Sequence, residues 1–324
     1  MTIRILKTYY IKFGGFKAIR FFSKRKLIWL MTKKVLSNPF SRHSYMNAYL
    51  LAVRDVELFL IVKFSPMMSS RKAFYSGQLL EHKRSKIIWF CWLQGLENAP
   101  QIIKICYTSL EKHMSDREIK IIDDNNWNEY VELPEYIVST WKHKKMAPAH
   151  FTDLLRLQLL IKYGGTWIDA TVFCTGITPQ NELETKSFLD ADLFMFQYTI
   201  PDSKQWGGIG NWFITACSNN VVLLVLRDML FAYWKEYDYI IDYYIFHLFF
   251  SMLRDVYPAE ISSMPYGYAP RSLALVHHWE GQFDEYKWEM LTSRVCFHKL
   301  TYSVRGNVEK INNNYYHYVM RGRV

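Results

Sequence analysis

The stretch "IKYGGTWIDAT", residues 161–171, reads as the last turn of a helix, a glycine pair and a short apolar strand that closes on Asp169. Gly164 and Gly165 are helix-ending residues, and "TWIDA" has the texture of a strand covered on both faces. A carboxylate at the tip of such a strand is costly to desolvate unless it is satisfied locally or by a cation. Asp169 therefore either caps a turn or holds a ligand.

Working backward, "HFTDLLRLQLLIKYGG" predicts a helix over 151–163, with Thr152 or a neighbour as its cap. Leu154, Leu155, Leu157, Leu159, Leu160 and Ile161 make it apolar nearly all round, the mark of a buried helix. Asp153 and Arg156 are the exceptions. At i and i+3 they share a face. They suit an internal salt bridge, or a pair set to bind a polar ligand, with the arginine fork on hydroxyl or phosphate oxygens.

Working outward, "KIIWFCW" (86–92), "REIKIID" (117–123), "DLFMFQY" (192–198) and "RVCFHKL" (294–300) read as further strands. Helices are expected in "ENAPQIIKICYTSLEKH", which has Pro100 near its start, in "LPEYIVSTWKH", and over 219–236 and 238–254. Strand–helix alternation predicts an α/β fold with a mainly parallel sheet and helices on its faces. Ligands of such sheets bind beyond the carboxyl ends of the strands. Trp92, Asp123, Asp169 and His298 all fall near predicted strand ends.

The first 84 residues read differently, as short helices separated by "GG" at 14–15, "SNP" at 37–39 and "SPMMSS" at 65–70. The expected division is thus a helical segment, 1–84, and an α/β domain, 85–324. Of the 40 Lys and Arg, twelve lie within residues 1–54, a stretch without Asp or Glu; the other 28 face all 30 acids, a net of −2. The formal charge of +10 therefore belongs to one segment. Its cations alternate with Ile, Phe, Tyr and Trp, and no apolar run reaches the length of a signal peptide or membrane span. That pattern suits the headgroup region of an anionic membrane or simply a basic solvated face; its bulky aliphatic content disfavours nucleic acid. The five cysteines, at 91, 106, 174, 217 and 296, show no C-x-x-C pairing, as expected of reduced thiols in a cytoplasmic protein.

Taken together, "APAHFTDLLRLQLLIKYGGTWIDAT" resembles the S/T-D-x-L-R … GG-x-(Y/W)-hydrophobic-D-x-(D/T) signature of glycosyltransferases with the A-type, Rossmann-like fold. The nearest resemblance is to family 32, the group of bacterial capsular polysaccharide synthesis proteins and yeast initiating mannosyltransferases. The glucosyltransferase domains of large clostridial toxins share the pattern more distantly. "KIIWFCWLQGLENAPQIIKICYTSLEKH", "WGGIGNWFITACSNN" and "HKLTYSV" look like further blocks of the capsule branch, in order, over roughly 85–302.

The resemblance implies a retaining hexosyltransferase that uses a nucleotide sugar, expected to be a UDP-sugar. It implies Mn²⁺ or Mg²⁺ held by Asp169, Thr171 and His298, although Thr171 stands where the family's D-x-D has its second carboxylate. A hydroxyl is the weaker ligand, which leaves open a low metal affinity, a metal held mainly through the donor phosphates, or a metal-independent variant. By the toxin resemblance Asp153 and Arg156 would hold donor-sugar hydroxyls and Trp92 would stack on uracil, with Gln94, Asn211 and Lys299 also at the donor. Apart from the resemblance, Asp242 and His247 fall on the predicted helix 238–254, either facing an acceptor or lying on a plain helix surface. That acceptor is expected to be an oligosaccharide on polyprenyl diphosphate, at the inner face of the bacterial membrane, which residues 1–54 would contact. A catalytically inactive scaffold and a sugar-phosphate transferase are the alternatives.

Overall fold

A computed structural model describes residues 15–25, 28–29, 33, 42–198, 208–303 and 308–322. After the helices α1 (Gly15–Lys24) and α2 (Arg42–Ser76), the chain alternates as expected: β1 (Ile87–Cys91), α3 (Gln101–His113), β2 (Glu118–Ile122), α4 (Trp127–Tyr130), α5 (Glu135–Lys142), α6 (Pro148–Tyr163) and β3 (Gly165–Asp169). Then come β4 (Val172–Cys174), α7 (Glu182–Leu189), β5 (Leu193–Gln197), β6 (Ile209–Ala216), α8 (Val221–Glu236) and α9 (Ile245–Val256). Short helices follow, among them α10 (Ala269–His277), before β7 (Phe297–Lys299) and α11 (Tyr315–Met320).

Five strands form the central sheet in the order β2-β1-β3-β6-β5. β1 pairs in parallel with both β2 and β3, while β6 runs antiparallel to β3 and to β5. Four strands therefore share one direction, and β6 opposes them. Strand alternation sends Trp89, Trp167, Met195 and Ile214 to one face, covered by α2, α6, α8 and α9. Ile88, Phe90, Ile168, Phe194 and Phe213 go to the other, under α3, α10 and α11. The result is an α/β/α layering that covers both faces of the sheet, the edge strand β2 remaining partly open to solvent.

The glycine pair does what its place in the sequence demands. Gly164 caps α6 at φ 69° and donates its N–H to Leu160 O at 2.8 Å. Gly165 has φ 95°, and a Cβ there would lie 2.4 Å from Ile87 O, so only glycine lets β3 enter the sheet beside β1. α6 starts three residues earlier than expected. Pro148 at its first turn presets the backbone, no side chain caps it, and Thr152 Oγ1 instead donates to Ala149 O at 3.0 Å.

Three expectations need correction. The predicted break at 65–70 is absent: α2 runs through Pro66. An interior proline costs a helix about 3 kcal/mol. Burial of Val56, Leu60, Phe64 and Met68, at roughly 1.5–3 kcal/mol for each large side chain, outweighs it. Phe64 meets the ring of Phe249 edge-on at 5.1 Å, so α2 shares the core of the sheet domain.

The helix predicted over 238–254 begins only at Ile245, because Asp242 Oδ1 accepts the Tyr244 N–H at 2.7 Å and turns the chain. The late strand is three residues long and pairs antiparallel with β4, outside the central sheet. The predicted break at 37–39 and most of the basic segment 1–54 lie outside the described residues. All five cysteines are buried and unpaired.

Candidate functional site

Four elements deliver polar side chains to one cavity of about 690 Å³ at the carboxyl edge of β1 and β3. Asp169 arrives at the end of β3, and Thr171 two residues on, before β4. The β4–β7 ladder sets Lys299 against Val172, and Leu300 N–H donates to Thr171 O at 2.8 Å. That register brings the Lys299 ammonium to Asp169 Oδ2 at 2.8 Å and into a hydrogen bond with Thr171 Oγ1. Asp169 Oδ1 in turn accepts from Trp167 Nε1 at 2.9 Å.

The α6 pair meets this carboxylate from the other side. Arg156 is 4 % exposed and Asp153 6 %; Nη1 of the arginine lies 3.1 Å from Asp153 Oδ1, and Nη2 lies 3.4 Å from Asp169 Oδ1. The guanidinium also donates to Asn211 O at 2.6 Å and stands 4.9 Å from the centre of the Trp167 ring. Asn211 Nδ2 closes the network on Asp153 Oδ1 at 2.9 Å. The Asp153–Arg156 pair is thus an internal salt bridge, and both of its members line the cavity.

Burial alone would raise the Asp169 carboxyl, but Lys299 and Arg156 together outweigh it and hold the group below its ordinary value. Asp169 is therefore anionic at neutral pH. His247, also at the cavity wall, is pushed down to about 4 by burial and stays neutral.

Trp92, Gln94, Asp153, Arg156, Asp169, Thr171, Asn211, His247 and Lys299, predicted from separate segments, all line this cavity. Trp92 stands edge-on to Tyr302 at 5.4 Å. Two expected residues do not line the cavity. Asp242 is buried at the turn before α9. His298 is wholly buried, sits opposite Phe173 in the ladder, lies 3.2 Å from Thr175 Oγ1, and is absent from the cavity wall. The residue after it takes that place. Asp123 is also elsewhere, accepting from the N–H groups of Asn125 and Asn126 at 2.8 and 3.1 Å.

The donor set does not fit the expected metal. With His298 turned away, one carboxylate and one hydroxyl remain, and both already hold Lys299. Among the described residues no group of three or more His, Cys, Asp or Glu is arranged for a metal ion. Like unit charges 4 Å apart cost roughly 4 kcal/mol at an effective dielectric near 20, so a dication at Asp169 would compete with two resident cations.

Residues that the sequence reading passed over include His150, Trp167, Tyr243 and Tyr302. Trp167 was legible, since residues i and i+2 of a strand share a face. So was His150, whose Nδ1 lies 3.8 Å from Asp153 Oδ2 one helical turn away. A larger and more open cavity, about 1120 Å³, lies across Pro148 and is lined by Asp124, Trp127, Trp141 and Lys145. It contains none of the network above.

With this geometry established, comparison places the chain among known proteins. The family model described as "Capsular polysaccharide synthesis protein" matches residues 64–319, a longer reach than the 85–302 of the sequence reading, beginning inside α2. No curated protein matches the chain. A solved chain titled "PaToxG Glycosyltransferase" is similar at 13 % identity, with a TM-score of 0.38, over 82 % of this chain and 97 % of that one.

Proposed function

The chain belongs to the capsular polysaccharide synthesis protein family, and from that premise we propose that it is a retaining hexosyltransferase of polymer assembly. It takes a hexose from a UDP-sugar and attaches it to an oligosaccharide carried on polyprenyl diphosphate. The observation that carries this reading is the convergence of Asp169, Lys299 and the Asp153–Arg156 pair in one cavity at the carboxyl edge of the sheet.

In this reading Trp92 and Gln94 flank the base, and Asp153 and Arg156 take hydroxyls of the donor sugar. Both ions are pre-oriented by Asn211, so little ordering remains to be done on binding. The bond from the anomeric carbon to the β-phosphate oxygen breaks, and its electron pair goes to the nucleoside diphosphate. An acceptor hydroxyl oxygen forms the new bond, and its proton passes to the departing phosphate. The two carboxylates at the cavity, Asp153 and Asp169, are each ion-paired, which favours this front-face displacement over a covalent intermediate.

Membrane contact belongs to the same reading. Ile19, Ile28 and Trp29 are exposed beside Arg20, Lys24 and Lys33, and Leu58 and Val62 are exposed on α2. No described helix is long and apolar enough to cross a membrane. Apolar residues among cations suit a peripheral hold on anionic lipid at the inner membrane face. Retention on anionic liposomes should fall when Arg20, Lys24 and Lys33 become Gln.

The central test is release of UDP from a panel of UDP-hexoses by the wild type and by Asp169→Ala. A transferase releases UDP and loses that release in the variant. Release of UMP would instead mark a sugar-phosphate transferase, and a folded wild type with no turnover would mark a scaffold.

A further inference from the structure

Resting on the glycosyl-transfer reading, we propose that Lys299 replaces the divalent cation, so that this chain binds its nucleotide sugar and transfers the sugar without a metal. The ammonium already sits where an ion shared by positions 169 and 171 would sit, on Asp169 Oδ2 at 2.8 Å and on the Thr171 hydroxyl. An ammonium has three N–H donors. Two are committed to the protein, and the third is left for a phosphate oxygen.

The fold builds this placement. The β4–β7 register fixes Lys299 beside the 169–171 segment, and Trp167 Nε1 and Arg156 fix the carboxylate that anchors it. Arg156 Nε is a buried donor with no protein partner, a second cationic group beside the first.

The replacement also accounts for Thr171. A carboxylate there would add a negative charge that one ammonium, already paired to Asp169, does not balance. A hydroxyl accepts the ammonium N–H and adds no charge. Threonine at 171 and lysine at 299 are thus one device: the first removes one negative charge, and the second's single positive charge balances the one that remains on Asp169. As the glycosidic bond breaks, the electron pair received by the β-phosphate oxygen meets the third Lys299 N–H, a charge-assisted bond of the kind lysine makes to phosphate.

The test is calorimetric titration of the full chain with UDP, first in excess EDTA and then in Mn²⁺, with free Mn²⁺ followed by its paramagnetic resonance signal. The expected result is a Kd that changes less than about threefold between the two conditions, with a Mn²⁺ signal that the protein does not deplete. Lys299→Ala should weaken UDP by about 30-fold or more, and Lys299→Arg, which keeps charge and donors, should recover much of that loss. Binding that EDTA abolishes and Mn²⁺ restores would overturn the proposal and leave the transferase reading standing. Absence of UDP binding in either condition would overturn both. The wild-type comparison needs no variant to fold.

Discussion

Arg156 Nη1 stands 3.1 Å from Asp153 Oδ1 one helical turn away, with both side chains almost fully buried. Removing one partner of such a pair strands the other as an uncompensated buried charge, at a cost of about 3–5 kcal/mol. Arg156→Ala and Asp153→Ala should each lower the urea midpoint strongly. The double variant should cost much less than the two single losses added together, because it strands neither charge. Additive losses in that cycle would refute the coupling.

Asp169 yields a prediction in which activity and stability separate. Its pKa is depressed below 3.8 in the folded chain despite burial, because Lys299 and Arg156 face it. Stability from such a group is fully present above its unfolded value and is lost as pH falls through the folded one. The stability gap between wild type and Asp169→Asn should therefore be flat from neutral pH down to about 5 and close below 3.8. UDP release by the variant should fall by at least about 100-fold at every pH. Denaturation across a pH series and a turnover assay check the two limbs separately.

What could be read in the sequence followed local rules. "KIIWFCW", "REIKIID" and "TWIDA" are strands because short β-prone runs between turn signals have few other fates, and all three lie in the sheet. Asp153, Arg156 and Asp169 stood out as charges in apolar surroundings, a contrast visible in one dimension. Long-range pairing was not visible. Nothing local says that β7 leaves the main sheet to pair with β4, yet that register decides whether His298 or Lys299 reaches the carboxylate. A residue's side of a ladder flips with each step along the strand, so an error of one position exchanged a ligand for a core residue. Pro66 misled for a related reason: the packing of Phe64 and Met68 against distant helices outweighs the local signal.

The entry of β3 into the sheet depends on Gly165. A Cβ there would meet Ile87 O at 2.4 Å, backbone against backbone, and the φ of 95° is itself unfavourable for any other residue. Gly165→Ala should destabilise by more than about 3 kcal/mol. Gly77, where an added Cβ meets nothing closer than 3.6 Å, provides the control, and Gly77→Ala should shift stability by under about 1 kcal/mol. Equal midpoints for the two variants would show that β3 can enter the sheet by another path.

His298 gives the last prediction, and it runs opposite to a metal ligand's. Burial pushes its imidazole down to about 4, so the folded chain keeps it neutral while the unfolded chain protonates it near 6.5. Between those values the unfolded state binds the extra proton, and stability rises with pH by up to about 1.4 kcal/mol per unit for each such group. His247, also held near 4, contributes a second, parallel slope. His298→Gln keeps a polar partner for Thr175 and removes one titration, so the slope between pH 4 and 6.5 should fall by up to about 1.4 kcal/mol per unit. Added Mn²⁺ should leave the curves of both proteins in place, since this side chain is buried away from the cavity. A Mn²⁺-dependent rise in the wild-type midpoint that vanishes in His298→Gln would show instead that the histidine turns toward Asp169 in solution.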